Sequence, residues 1–193
     1  PHPVDETNYN LSKIERILRF AGLEEEVPKI YKRAIEKDPD NSLNYHNLAV
    51  WYYYEGDLDQ AGSLLESALQ IDPLYPKANR LMGHILMRRK ELAKALPYLQ
   101  NALPEFDNDP VLLYELGVSY YVTEKPEMAL FCAQKSIELK PDNLDAYDLL
   151  GLAYAMLGDV EKAKQAWEHI LSINPDDSVV IQNLKTLGKY QKK

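Results

Sequence analysis

Residues 144–177 read LDAYDLLGLAYAMLGDVEKAKQAWEHILSINPDD, and the spacing of small residues and proline in this stretch recurs along the chain about every 34 residues. Self-similarity at a fixed interval of about 20 to 50 residues is typical of repeat proteins. Four registers share the period: Pro39, Pro73, Asp107, Pro141 and Pro175; Ala49, Gly83, Gly117 and Gly151; Ala61, Ala95, Ala129 and Ala163; and Ala34, Ala68, Ala102, Ser136 and Ile170. The pattern predicts stacked copies of one structural unit.

Each copy is predicted to be a pair of helices. Apolar residues recur within it at intervals of three and four, which is the period of one helix face. Two of the copies break in the middle at Gly56-Asp57 and Gly158-Asp159. Glycine can adopt a left-handed conformation at the end of one helix, and aspartate can cap the start of the next. In a third copy the break is followed by Pro126, which suits the first position of a helix.

Small residues are expected where the two helices of a pair cross. Helix axes lie about 8 to 10 Å apart, and small side chains permit the closest approach. The expected contacts are Gly83 with Ala95, Gly117 with Ala129, and Gly151 with Ala163. These contacts predict an all-α fold of antiparallel helix pairs.

The 144–177 copy closely resembles the tetratricopeptide repeat (TPR) family, whose pattern combines a large residue with Leu, Gly, Tyr, Ala, an aromatic residue, Ala and Pro. The residues that match this pattern are Tyr147, Leu150, Gly151, Tyr154, Ala163, Trp167 and Pro175. Ile170 stands where the family has a small residue. The resemblance implies a right-handed superhelical solenoid of antiparallel helix pairs.

The resemblance also implies one TPR-like domain over residues 1–193. Its expected parts are a degenerate hairpin at 8–41, repeats at 42–75, 76–109, 110–143 and 144–177, and a capping helix at 178–190. In the degenerate hairpin Glu15 replaces the small residue, which weakens the expected packing there. Pro97 and Pro104 predict a kink or an early end in the second helix of the 76–109 repeat.

Composition narrows the class of partner and the compartment. The chain has 22 Lys and Arg against 30 Asp and Glu, a net charge of −8, which disfavours nucleic acid because phosphate binding needs a basic surface. Charged residues, Gly or Pro interrupt each apolar stretch before the ~18 to 20 residues of a membrane span. The chain starts at Pro1 rather than Met, which indicates processing or trimming. We expect a cytoplasmic protein, with an exported or membrane-tethered one, its leader removed, as the alternative.

The sequence offers no constellation of reactive groups. The four histidines lack metal-ligand spacing, and the glycines form neither a phosphate-binding loop nor a nucleophile elbow. Cys132 has no adjacent histidine to activate its thiol, so we expect a packing or surface residue. We therefore predict no catalytic residue, no metal and no cofactor, and a protein that is not an enzyme.

In the TPR family, the first helix of each pair lines a concave groove that binds extended peptides or helices of partner proteins. Carried over by register, the resemblance selects as the partner-binding groove Arg16, Arg19, His46, Asn47, Val50, Tyr53, Tyr54, Lys77, Arg80, His84, Arg88, Tyr114, Val118 and Tyr121. The same register continues through Asp145, Asp148, Leu152, Ala155 and Met156.

The cations of the groove predict an acidic or carboxylate-bearing partner, because arginine binds carboxylates through two hydrogen bonds and tyrosine supplies a rigid amphipathic surface. Only Asn47 and Lys77 match the carboxylate clamp of some family members, so looser recognition is expected. A solvated helix face is the alternative for the cations, and packing between helices is the alternative for the groove tyrosines. Packing is expected outright for Tyr52, Tyr120 and Tyr154.

Two functions from different classes follow from these features. The first is a non-catalytic protein–protein interaction module or adaptor, which binds a segment of a partner protein in its groove, within a multiprotein complex. The alternative is a structural protein that assembles with copies of itself, suggested by Tyr9, Leu11 and Phe20 in the imperfect first hairpin. A catalytic subunit is the third class and requires an activity of its own.

Overall fold

A computed structural model describes residues 13, 16–18 and 20–190 of the chain, with side chains as far as Leu187. Regular secondary structure in these residues is helical, and they contain no strand. The helices are α1 (Val27–Lys37), α2 (Ser42–Tyr54), α3 (Leu58–Ile71), α4 (Pro76–Arg88), α5 (Leu92–Ala102), α6 (Pro110–Val122), α7 (Pro126–Leu139), α8 (Leu144–Met156), α9 (Val160–Ile173) and α10 (Ser178–Tyr190). The 3-10 turn Glu24–Glu26 precedes α1.

The chain divides into two compact units, 1–85 and 86–193, here called the N-terminal and C-terminal units. In the N-terminal unit, α2 packs against both α1 and α3. In the C-terminal unit, α6 packs against α5, α7 and α8, and α9 lies between α8 and α10. Consecutive helices joined by short turns pack side by side, so the expected all-α fold of antiparallel helix pairs is confirmed.

The turns inside the pairs have the predicted chemistry. Gly56 and Gly158 adopt φ angles of 85° and 79°. Both values lie in the left-handed region, where a residue without Cβ is favoured. The Asp57 side chain accepts a hydrogen bond from the Gln60 backbone N–H at 2.9 Å, as a helix cap should. Pro126 is the first residue of α7, as predicted.

Two residues other than glycine take the same backbone conformation at the equivalent turns. Lys90 has φ 61° and Glu124 has φ 57°. In the repeat register they occupy the positions that Gly56 and Gly158 hold in the other copies. The left-handed conformation costs a residue with Cβ roughly 1 to 2 kcal/mol. The packing of the helices therefore dictates the shape of the turn even where the local sequence disfavours it.

The second helix of the 76–109 repeat ends early, as predicted. Helix α5 has 11 residues, whereas α3, α7 and α9 each have 14. Pro97 lies inside α5, which continues beyond it and stops at Ala102, two residues before Pro104. Proline cannot donate a backbone hydrogen bond and its ring obstructs the preceding turn, so a shortened helix is the physical consequence.

Each unit has its own apolar core. In the N-terminal unit, Val27 and Tyr31 of α1 are buried together with Leu48 of α2. In the C-terminal unit, Val180 and Leu187 of α10 are buried with the apolar side of α9. The terminal helix thus covers an apolar surface that would otherwise face water.

Of the contacts expected at the helix crossings, the one at Gly117 is observed, whereas Gly151 meets a different residue from the one predicted. A Cβ added to Gly117 would lie 3.0 Å from Cβ of Cys132 and 3.5 Å from the Ala129 carbonyl oxygen, so this crossing is as tight as predicted. At Gly151 the nearest atoms all belong to the ring of Trp167, between 2.5 and 2.9 Å from an added Cβ. Glycine is required there because an indole, and not Ala163, occupies the space.

The repeat tyrosines pack between helices as expected. Tyr120 is buried, and its hydroxyl accepts a hydrogen bond from Gln100 Nε2 at 2.9 Å. The equivalent pair one repeat later is Tyr154 and Gln134, at 3.3 Å. Tyr52 is half-buried against the core of the N-terminal unit. These three side chains stabilise the fold.

Candidate binding surfaces

The predicted groove residues lie on the first helices of the pairs, and two of them belong to the imperfect first hairpin. Arg19 lies outside the described residues, and Arg16 is exposed. Tyr54, Lys77 and Arg88 are also exposed or only partly covered. The half-buried members are His46, Asn47, Val50, Tyr53, Arg80, His84, Tyr114, Val118 and Tyr121. Partial burial on a helix face leaves these side chains accessible while their neighbours hold them in place.

In the N-terminal unit, α2 and α4 present an aromatic and basic surface, here called the N-terminal surface: His46, Asn47, Tyr53, Tyr54, Lys77, Arg80 and His84. The rings of Tyr53 and His84 meet edge to face, with centroids 5.7 Å apart, and Tyr53 also meets Tyr54 at 5.5 Å. Such contacts fix aromatic side chains in one orientation. Tyr54 remains 73% exposed, so its ring is accessible to a partner while the contact with Tyr53 fixes its orientation.

His46 is neutral at physiological pH. Its Nδ1 lies 3.3 Å from Oδ1 of Asn47, and its ring packs against Tyr75 with centroids 5.4 Å apart. Burial lowers the pKa of His46 to about 4, and the positive charge of Lys77 contributes in the same direction. The positive charge of this surface therefore comes from Lys77 and Arg80, while His46 and Asn47 offer neutral hydrogen-bonding groups.

In the C-terminal unit, α6 and α8 present a different surface, here called the C-terminal surface: Tyr114, Val118, Tyr121, Asp145, Asp148, Leu152 and Met156. Asp148 Oδ1 accepts hydrogen bonds from Trp167 Nε1 at 2.7 Å and from Asn183 Nδ2 at 3.3 Å. Burial raises the pKa of Asp148, its two hydrogen bonds lower it, and the charges of Asp177 and Asp145 raise it.

Tyr114, like Asp148, is affected by nearby negative charges. Burial raises the pKa of its hydroxyl, and the charges of Asp145, Asp148 and Glu115 raise it further. The nearby charges that affect both Tyr114 and Asp148 are all negative. The C-terminal surface is therefore acidic, whereas the N-terminal surface is basic.

Sequence reasoning missed the parts of these arrangements that come from other helices. Asn183 of α10 supports Asp148, and nothing in the local sequence distinguishes it from the other polar residues of that amphipathic helix. A cleft of about 290 Å³ in the C-terminal unit was also missed; it is lined by Tyr147, Leu150, Tyr154, Lys162, Gln165, Ala166 and His169. The rings of Tyr147 and His169 stack there, with centroids 4.1 Å apart.

The candidates for chemistry are poorly placed for it. Cys132 is 2% exposed. Burial raises the pKa of its thiol to about 12, so the reactive thiolate is suppressed. Of the two roles expected for Cys132, packing or surface, its burial selects packing. Across the part of the chain that the structure describes, no group of three or more His, Cys, Asp or Glu side chains is arranged to hold a metal ion. None of the described helices has the length and apolarity needed to cross a bilayer.

Three family models, each described as a tetratricopeptide repeat, match residues 30–62, 52–116 and 144–177. A TPR repeat-containing protein of Methanocaldococcus jannaschii is 30% identical over 89% of this chain and 29% of its own length. A beta-barrel assembly-enhancing protease of Yersinia pestis is 28% identical over 89% of this chain and 36% of its own length. The chain thus spans only about a third of these relatives.

Solved structures agree with the family models. The crystal structure of YrrB, described as a TPR protein with an unusual peptide-binding site, superimposes with a TM-score of 0.71 at 22% identity and covers 84% of each chain. This likeness shows the fold. The repeated pattern, the helix pairs, the family models and this fold lead to one conclusion: the chain belongs to the tetratricopeptide repeat family.

Proposed function

We propose that this chain is a non-catalytic interaction module that binds an extended or helical segment of a partner protein on the faces of its first helices. The observation that carries the proposal is the N-terminal surface, where Tyr53, Tyr54 and His84 are held edge to face beside two cations. Preorganised aromatic rings next to arginine are typical of binding hot spots, because little conformational entropy is lost when a partner docks. The peptide-binding site in the description of YrrB supports the same class of function.

The partner of the N-terminal surface is acidic or ends in a carboxylate. Lys77 and Arg80 are one helical turn apart on α4, so their charged groups lie on the same face. Because His46 is neutral, it adds no third positive charge beside Lys77 and Arg80, and His46 and Asn47 provide neutral hydrogen-bonding groups next to the two cations. Charge-assisted hydrogen bonds to a carboxylate are about twice as strong as neutral ones, so this chemistry selects anions.

The experiment is calorimetric titration with a synthetic peptide of about 12 residues, which spans roughly 40 Å when extended. This glutamate peptide alternates Glu with apolar residues and ends in a free carboxylate. The double variant Lys77→Glu and Arg80→Glu should weaken binding at least about tenfold and flatten its salt dependence. The matched control, Lys32→Glu with Arg33→Glu, reverses two exposed charges on α1 and should leave the affinity unchanged. Equal affinity for the wild type and the α4 variant would refute the assignment of this surface.

Self-assembly is the second candidate, and an exposed apolar group in the first hairpin favours it. Ile17, Phe20 and Leu23 are 64%, 94% and 52% exposed. Apolar side chains exposed together are typical of surfaces that contact another protein. Light scattering over a concentration series, with Phe20→Glu as the comparison, tests this candidate. A protein that stays monomeric at every concentration rules it out.

Catalysis is not part of the proposal, although one relative is named as a protease. Only 36% of that protease is matched by this chain, and Cys132 is buried with its thiol protonated. Incubation of the purified chain with unfolded protein substrates should give no cleavage.

We also propose a cytoplasmic location, with an exported or membrane-tethered protein as the alternative. Fractionation of the native source distinguishes the two locations.

A further inference from the structure

The C-terminal surface differs from the N-terminal surface in its charge. Helices α6 and α8 read PVLLYELGVSYYV and LDAYDLLGLAYAM, and neither contains a lysine or an arginine. Their charged residues are Glu115, Asp145 and Asp148. The two helices are packed neighbours, so their faces form a continuous area within one unit.

A row of apolar and aromatic side chains lies beside the two aspartates. It is here called the apolar lane and consists of Tyr114, Val118, Tyr121, Leu152 and Met156. Val118 and Tyr121 follow Tyr114 at intervals of four and seven, which places all three on one side of α6. Leu152 and Met156 continue this side of α8 beyond Asp145 and Asp148. Val118, Tyr121 and Leu152 are half-buried, and Met156 is 43% exposed. The lane can therefore bury apolar side chains of a docked segment.

Asp148 is held in a fixed position at the edge of this lane. Both of its hydrogen bonds, from Trp167 and Asn183, go to the same oxygen, Oδ1. Trp167 is itself 2% exposed in the core of the C-terminal unit, so its indole keeps one position and the hydrogen bond fixes the position of the carboxylate. The second oxygen, Oδ2, accepts no hydrogen bond within the described residues. A carboxylate that is oriented in advance with one acceptor oxygen available loses little entropy on binding a donor.

The electrostatics of this surface favour a cation as that donor. The neighbouring charges that shift the pKa of Asp148 and of Tyr114 upward are carboxylates, so an added negative charge would be repelled. An ammonium or guanidinium group would relieve this repulsion and hydrogen-bond to Asp148 directly. A metal ion is a poorer fit, because the described residues contain no group of three or more His, Cys, Asp or Glu side chains that could hold one.

We propose that the C-terminal surface binds a segment of a partner protein that presents lysine or arginine next to apolar side chains. Asp145 and Asp148 bind the cation, and the apolar lane, which includes Val118 and Leu152, buries the apolar residues. The inference rests on the proposed interaction function and adds the partner chemistry of this unit.

The test uses a second synthetic peptide, the lysine peptide, which has the apolar residues of the glutamate peptide but Lys at each Glu position and an amidated C terminus. The double variant Asp145→Asn with Asp148→Asn should bind it about 5- to 30-fold more weakly, with a smaller salt dependence. The matched control is Glu127→Gln with Glu161→Gln, which removes two exposed charges on the second helices of the same unit. The control should retain the affinity of the wild type within about twofold.

Asp145→Asn alone keeps the test decisive if the double variant misfolds, because Asp148 then retains its bonds to Trp167 and Asn183. This single variant should still lose affinity for the lysine peptide. The inference is overturned if the wild type fails to bind the lysine peptide, or if neither variant weakens binding. Glutamate-peptide binding that still depends on Lys77 would leave the proposed function standing in that case, whereas loss of both activities would remove it as well.

Discussion

The substitution Gly151→Ala tests how the C-terminal unit is built around Trp167. An added Cβ would lie 2.5 Å from Nε1, 2.6 Å from Cε2 and 2.9 Å from Cδ1 of the indole. Non-bonded carbon atoms are most stable at about 3.5 to 4.0 Å, so the overlap is roughly 1 Å. The ring can move aside only if its 2.7 Å hydrogen bond to Asp148 lengthens or breaks.

The expected cost combines three effects. Overpacking of a core costs about 1 to 3 kcal/mol, and loss of a hydrogen bond to a charged group costs about 1.5 to 3 kcal/mol. Alanine is favoured over glycine inside a helix by about 1 kcal/mol, which acts in the opposite direction. Gly151→Ala should therefore lower the free energy of unfolding by about 2 to 5 kcal/mol.

Urea denaturation followed by far-UV circular dichroism measures this change, and a double-mutant cycle with Trp167→Leu identifies its cause. Leucine removes the ring atoms that crowd Cβ, so Gly151→Ala should become nearly neutral or stabilising in that background. The two substitutions are then strongly non-additive, as expected for side chains in direct contact. The reasoning is refuted if Gly151→Ala is tolerated in the wild type, or if its cost is the same in both backgrounds.

Three other perturbations have defined outcomes. Asn44 is 3% exposed, and its Oδ1 has no hydrogen-bond partner among the described residues, whereas the equivalent positions 78, 112 and 146 hold Ala, Leu and Ala. Asn44→Leu should stabilise the chain by about 1 to 3 kcal/mol in urea denaturation, and a loss of stability would contradict the claim that the amide is unsatisfied. Glu124→Gly should raise the melting temperature, because the left-handed turn costs glycine about 1 kcal/mol less, while Glu127→Gly inside α7 should lower it. The depressed pKa of His46 means that the unfolded chain binds a proton more readily, so His46 contributes stability that is full above pH 6.5 and is lost as the pH falls towards 4, by up to about 3 kcal/mol. Replacement by Asn should reduce the slope of stability against pH in this window, and identical slopes would show that His46 is not buried in its neutral form.

The repeat, the helix pairs and the turns at Gly56 and Gly158 were predictable from the sequence, whereas the left-handed turns at Lys90 and Glu124 were not. Helix ends depend on residues close in the chain, so Gly56 and Pro126 could be assigned from spacing alone, and Pro97 with Pro104 indicated the shortened α5. The family resemblance then selected the first helices as carriers of the candidate surfaces. Each of these predictions depends on backbone preferences within a few residues or on a period that runs through the whole chain.

Other features were decided only by the tertiary structure, because they depend on neighbours far apart in sequence. The ring of Trp167 at Gly151, the support of Asp148 by Asn183 and the low pKa of His46 each require helices to be packed together first. Burial and local field set charge states, and neither can be read from a residue's type. The sequence alone therefore determined an array of helix pairs whose first helices carry the candidate binding residues. The packed fold determined that one unit presents oriented aromatic rings and the other a fixed carboxylate, since low-dielectric surroundings and the nearest charges are properties of the assembled structure.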